Sequence, residues 1–132
     1  MSKPQLYQCF RFSDADRAIE LLTALGFREA FIVRDEADPS QVVHAQYLWR
    51  DNGGIMFGSV RDDGKPGAFS HGGSICNIVV ESDDEVDAVY ARALAAGAVS
   101  AAEPSNAPHG GRVAGVVDID GNYWNIDSYP GE

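Results

Sequence analysis

The chain is short of positive charge. Ten Lys and Arg stand against twenty Asp and Glu, for a net charge of −10. Binding nucleic acid depends on basic residues that neutralise phosphates, so this balance argues against nucleic acid and favours a cationic or neutral ligand; it also keeps a surface soluble. Cysteine is scarce too: Cys9 and Cys76 make no disulfide framework, and a reducing cytoplasm is the expected setting. No apolar run is long enough to span a bilayer, and none follows Met1-Ser2-Lys3-Pro4 in the manner of a secretory leader. Nucleophile motifs, a phosphate-binding loop and a dinucleotide fingerprint are missing. The three histidines, His44, His71 and His109, are far apart and share no ligand-like spacing.

What is present is regular alternation punctuated by glycine. The 132 residues suffice for one domain with its own core. Pro4 to Phe12 predicts a strand, with Leu6, Phe10 and Phe12 on one side and Tyr7, Cys9 and Arg11 on the other. Ser13 or Asp14 caps a helix to about Leu25, whose stripe is Ala15, Ala18, Ile19, Leu22 and Leu25, and Gly26 ends it. Strands follow at 27–33, 42–50 and 55–59, with an acidic loop at 34–41. A linker over 60–73 holds Gly64, Pro66, Gly67, Gly72 and Gly73. Then the order repeats. A strand at 74–81 leads to a helix opened by Ser82 with Glu85, which is a capping-box pattern, and closed by Gly97. A short strand at 99–102, a loop at 103–111, a strand at 112–117 and the turn and strand at 118–127 complete it.

Subtraction supports two copies. Gly97 and Gly26 differ by 71, Gly121 and Gly54 by 67, and Asp118 and Asp51 also by 67. A near-constant offset is what two βαβββ units with small insertions give. The expected fold is therefore α+β: one domain over 1–132, with module 1 at about 4–59, the linker, and module 2 at about 74–128. Each helix covers one face of a curved mixed sheet, and the two uncovered faces curve around a cleft.

In this order the motifs resemble the vicinal oxygen chelate superfamily of glyoxalases, extradiol dioxygenases and bleomycin-resistance proteins. The resemblance rests on Phe10-x-Phe12-x-Asp14 with Ala18 and Leu25-Gly26-Phe27, on His44-Ala45 with Gly53 to Gly58, on Ala95 to Ala98, and on Pro108, Gly110-Gly111-Arg112 and Asp118-Ile119-Asp120-Gly121-Asn122. Ile119 stands where the family's turn usually has Pro. Catalytic relatives hold a divalent metal with His or Glu from the first and last strands of each copy. Carried over, those positions fall on Tyr7, on Gly58 by the 67 offset, on Ile75 or Cys76, and on Asn125. Ile75 follows if Val80 matches Phe12, and Cys76 if the caps are aligned. Such a set lacks the imidazole and carboxylate donors that a divalent metal needs, so no metal and no other cofactor is expected.

The uncovered face then reads as Tyr7, Cys9, Arg11, Met56, Gly58, Asn77, Tyr123, Asn125 and Asp127. Loops could add Phe69, His109 and Arg112. The candidate ligand-binding residues are Tyr7, Cys9, His44, Met56, Asn77, His109, Arg112, Tyr123 and Asn125, with no catalytic residue assigned. An aromatic and polar lining suits a planar or amphipathic molecule. By alternation Trp49 and Trp124 belong to the core. The resemblance implies a dimeric protein, with its modules paired within a chain or swapped between chains, that sequesters an aromatic or cationic natural product. The rival reading is a glyoxalase-, isomerase- or dioxygenase-like enzyme with a divergent site, using Tyr7, Cys76 or His44 as acid or base. A third is an oligomeric interaction module without a small ligand.

Overall fold

The computed structural model describes residues 3–62 and 72–132; most of the Gly-rich linker, with Gly64, Pro66, Gly67, Phe69 and His71, lies outside the described residues. The elements are β1 (Gln8–Phe12), α1 (Ala15–Leu25), β2 (Arg28–Arg34), β3 (Val42–Trp49) and β4 (Gly53–Ser59), then β5 (Ile75–Val79), α2 (Asp83–Ala95), β6 (Val99–Asn106), β7 (Arg112–Val117) and β8 (Tyr123–Asp127). Two compact units divide near Gly72–Gly73. Each holds a four-stranded mixed sheet, ordered β1-β4-β3-β2 in the first and β5-β8-β7-β6 in the second. In both, the first strand runs parallel to the last and the remaining pairs are antiparallel. The fold is α+β, two tandem βαβββ modules.

The caps are local chemistry. Asp14 opens α1, its carboxylate accepting from the Arg17 amide at 3.2 Å, and Ser82 opens α2 by accepting from the Glu85 amide at 3.2 Å. At the other end Gly26 takes φ 119 and its amide donates to Leu22 and Thr23 carbonyls, a left-handed cap that a Cβ would strain. Asp14 and Ser82 are 68 apart, as are Phe12 and Val80, both buried. Once the cap is placed at Asp14, both alignments assign Ile75, not Cys76, to the position matching Tyr7.

In the first unit Phe10, Phe12, Ala45, Tyr47, Ile55 and Phe57 are buried, as are Ala15, Ala18, Leu22 and Leu25 of the expected α1 stripe; Leu21 is buried with them, while Ile19 is only half-buried. Phe57 meets Phe12 edge-on at 5.2 Å and Tyr47 at 5.4 Å between ring centres. Trp49 is half-buried and leans on Phe27 at 4.9 Å. In the second unit α2 lies against β6, β7 and β8, burying Val86, Val89 and Ala93 together with Ile78, Ala114, Val116, Trp124 and Ile126.

Two boundaries depart furthest from the alternation. β1 begins at Gln8 rather than Pro4: Pro4 has no amide to give a ladder, and Leu6 is 87% exposed. β6 runs on to Asn106 through residues expected to form a loop. It is an edge strand, where Pro104 is tolerated, and its register against β7 slips between Ser100 and Ala102 and again between Ala102 and Ser105. Among the described residues no helix is long and apolar enough to cross a membrane.

Candidate functional site

The strand registers fix which residues share the uncovered faces. In the first sheet Cys9, Met56, Gln46 and Phe31 form one row across β1, β4, β3 and β2. In the second sheet the corresponding row is Asn77, Asn125 and Gly115. Since Asn77 matches Cys9 by the cap offset, Asn125 matches Met56. The 67 offset pointed to Gly58, but it matched Asp and Gly residues that stand at different places in turns of equal length; by register the Leu48–Gly54 pair answers to Val117–Tyr123, an offset of 69. The four carried-over positions are therefore Tyr7 and Met56 in the first module, and Ile75 and Asn125 in the second. Ile75 is 71% exposed on the same face as Asn77. A phenol, a thioether, an alkyl group and an amide are not the donor set of a catalytic divalent site. Among the described residues no three His, Cys, Asp or Glu are grouped as a metal would need.

Each face carries a tyrosine close against a glycine. In the first module Tyr7 covers Gly54, where an added Cβ would stand 2.6 Å from the ring, and its hydroxyl accepts from Gln46 Nε2 at 2.9 Å. In the second module Tyr123 covers Gly115, where an added Cβ would stand 2.0 Å from the hydroxyl oxygen. Gln46 and Gly115 hold the same row in their sheets. One phenol thus comes from just before β1 and the other from β8, and both reach the same place on the third strand of their modules. Beside Tyr123, Asn125 donates to the Asn77 amide oxygen at 2.5 Å. That bond uses one of the pair's four amide N–H groups and leaves three, together with the Asn125 carbonyl oxygen, for other partners.

The other expected site residues scatter. His44 lies on the first sheet with its ring 5.4 Å from Phe31. Cys9 is exposed, and Arg11 lies over Gly58, its Nη1 donating to the Ser59 carbonyl at 3.5 Å. His109 sits in the β6–β7 hairpin, edge-on to Tyr129 at 5.4 Å. Arg112 does not reach an open face. Its guanidinium clasps Asp87 of α2 at 2.7 and 3.0 Å and donates to Asn106 at 3.1 Å, so it pins helix to sheet. That hydrogen bond is the main reason the Asp87 carboxyl is held below its ordinary pKa. Cys76 is half-buried in the row of Trp124, and burial pushes its thiol up to about 11.

The Cys76 shift carries a prediction. The folded state resists ionising this thiol, so its contribution to stability is complete below pH 9 and is lost as pH rises toward about 11. Denaturant titrations at pH 7.5 and 10.5 should show a loss that Cys76→Ser reduces; an unchanged loss in the variant would contradict the assignment. At pH 8 a thiol reagent should modify Cys9 quickly and Cys76 slowly.

Three side chains of the first face were not anticipated. Phe31, Gln46 and Leu48, with Tyr7, line an open pocket of about 380 Å³ bordered by Lys3, Arg28, Arg50 and Asp51. Gln46 and Leu48 were legible as the alternates of Ala45 and Tyr47. Phe31 was not, because β2 slips register between Glu29 and Phe31, which puts Arg28 and Phe31 on one face opposite Leu48 and Gln46. Glu29, on the other side of the strand, raises the pKa of Tyr47 after burial, the larger cause.

Comparison with known proteins agrees with this architecture. TioX from Micromonospora sp. ML1 is 26% identical, with 92% of this chain and 97% of that one covered at a TM-score of 0.65. A glyoxalase-related enzyme from Fulvimarina pelagi is 22% identical, with 93% and 86% covered at 0.71. A mutant glyoxalase I from Zea mays is 18% identical, with 97% of this chain and 45% of that one covered at 0.69. The latter two likenesses speak to fold alone. No curated protein matches. The profile of the Glyoxalase/Bleomycin resistance protein/Dioxygenase superfamily matches residues 7–126, and the chain belongs to that superfamily.

Proposed function

We propose that this protein binds an aromatic small molecule and sequesters it without metal and without turnover, in the manner of the superfamily's bleomycin-resistance branch. The observation that carries the reading is the set of residues at the metal-ligand positions: Met56 where Cys9 and Gln46 flank it, and Asn125 where Asn77 flanks it. In each module the position that a catalytic relative fills with a carboxylate is given to a side chain suited to packing or hydrogen bonding. The tyrosines laid on Gly54 and Gly115 support it further, because a ring held against backbone is a preformed stacking surface. A toxic natural product with aromatic groups is the ligand class this lining suits, and a homodimer is the assembly the family resemblance suggests.

The test is a titration of the purified protein against a panel of aromatic antibiotics. At least one should bind with a micromolar or tighter Kd. Tyr123→Ala and Asn125→Ala should each weaken it by about tenfold or more while leaving the thermal transition in place, since one stacked ring or one amide contact is worth about 1–2 kcal/mol. A panel without a micromolar binder would count against sequestration.

A further inference from the structure

The pocket on the first sheet has a charge opposite to that of the protein. Lys3, Arg28 and Arg50 border it against one carboxylate, Asp51, in a chain whose net charge is −10. Three of only ten basic residues meet there. Two backbone features bring them. The register slip after Glu29 turns Arg28 onto the open face beside Leu48. Arg50 holds φ 49 at the β3–β4 turn and is the one residue other than glycine with positive φ among the described residues. Such a conformation persists in a non-glycine residue where the surroundings impose it, and it is concentrated at ligand sites. Among the described residues neither Lys3 nor Arg28 has a carboxylate partner. Glu29 is turned to the other side of the sheet with Tyr47, so Asp51 is the acidic group that faces the pocket.

We propose that this pocket takes an aromatic carboxylate, its ring between Tyr7 and Phe31 and its carboxylate held by Arg28 and Arg50 with Lys3 alongside. The assignment rests on the reading of the chain as a small-molecule-binding protein and narrows its ligand class. It also reverses the expectation from composition that the ligand is cationic or neutral. Net charge acts over the Debye length, about 8 Å at physiological salt, so acids scattered over the surface count little against guanidinium groups in contact. A guanidinium meets a carboxylate with two parallel charge-assisted hydrogen bonds, about twice as strong as the single bond a neutral carbonyl accepts, and an ammonium accepts none. The Tyr7 ring is fixed on Gly54 and its hydroxyl on Gln46, so the stacking surface is already in place when the ligand arrives.

Three probes of one shape and different charge test this on the full chain by calorimetry: 2-naphthoate, 2-naphthamide and 2-naphthylmethylammonium. The expected order is naphthoate tightest by about tenfold over naphthamide, with the ammonium weakest. Arg50→Gly removes the guanidinium while suiting the turn's φ, so its Tm stays level or rises, and the naphthoate advantage over naphthamide shrinks about tenfold. Arg28→Gln does the same from the other side. Tyr7→Ala weakens all three probes. If naphthamide or the ammonium binds as tightly as naphthoate, or if Arg28→Gln and Arg50→Gly weaken all three equally, the carboxylate assignment is overturned while small-molecule binding stands. If none of the three binds, the pocket assignment falls, and the antibiotic panel decides whether the wider reading falls with it.

Discussion

Asp118→Ala will cost the protein about 3–5 kcal/mol of stability, a large part of the 5–15 kcal/mol typical of a folded domain. Asp118 is the knot of the turn before β8. Its Oδ1 accepts from the amides of Asp120 at 3.0 Å and Asn122 at 2.9 Å, and its Oδ2 accepts from Asn122 Nδ2 and Trp124 Nε1, both at 3.0 Å. Asn122 is 1% exposed and its Oδ1 accepts in turn from the Ser74 amide at 3.2 Å, tying the turn to the start of β5. Trp124 is fully buried. Removing one carboxylate therefore takes an acceptor from an indole N–H and an amide that water reaches poorly. Asp118→Asn keeps an oxygen for the two backbone amides but sets an NH2 against two donors, and should cost about 2 kcal/mol. Trp124→Phe in the alanine background removes the stranded indole N–H, so the double variant should be less destabilised than the sum of the singles. Denaturant midpoints read all three. Simple additivity, or a loss below about 1 kcal/mol for the alanine variant, would contradict the role given to Asp118.

Phe12→Ala should cost about 3–5 kcal/mol in the first unit. Phe12 is 2% exposed, lies 5.3 Å from the near-parallel Phe10 ring, and meets Phe57 edge-on at 5.2 Å. Truncation opens a cavity among aromatic side chains that close poorly over it, and forfeits the edge-to-face contact as well. Phe12→Leu, which keeps most of the volume, should lose less than half as much. Equal losses for the two would mean that the ring's volume is not what the core uses.

Much of the architecture was legible because it repeats. Glycines, caps and alternation occur twice in the same order, and each copy checks the other. Trp124 was placed in the core by sharing a face with Ile126. Tyr7, Met56, Tyr123 and Asn125 were placed on the open faces by the same alternation. What alternation could not carry was anything decided by an irregularity. The slip after Glu29 moved Arg28 and Phe31 onto the open face and made a pocket that a strict period of two hides. Asp and Gly residues placed differently within turns of equal length spoiled the 67 offset, and the strand register moves the match of Asn125 from Gly58 to Met56. Arg112 looked available because its motif position suggested a site, whereas Asp87, one helical turn into α2, claims its guanidinium. Composition gives no sign of the pocket's basic border, since it averages over a surface whose ten cations are not evenly spread.

Both tyrosines also show how a face can be built by subtraction. Gly54 and Gly115 supply no side chain, and that is their contribution: a Cβ at either place would meet the ring that lies there. Both rings are thus held by residues that carry no chemistry of their own.

The most direct measurement is the metal content of the purified protein before and after dialysis against a chelator, followed by a titration of the same samples with 2-naphthoate. Less than a tenth of a divalent ion per chain and the same Kd in both samples is the predicted result, because Tyr7, Met56, Ile75 and Asn125 offer no set of donors for one. A stoichiometric divalent ion that survives dialysis, and whose removal abolishes binding, would contradict the account and point to a metal-dependent enzyme.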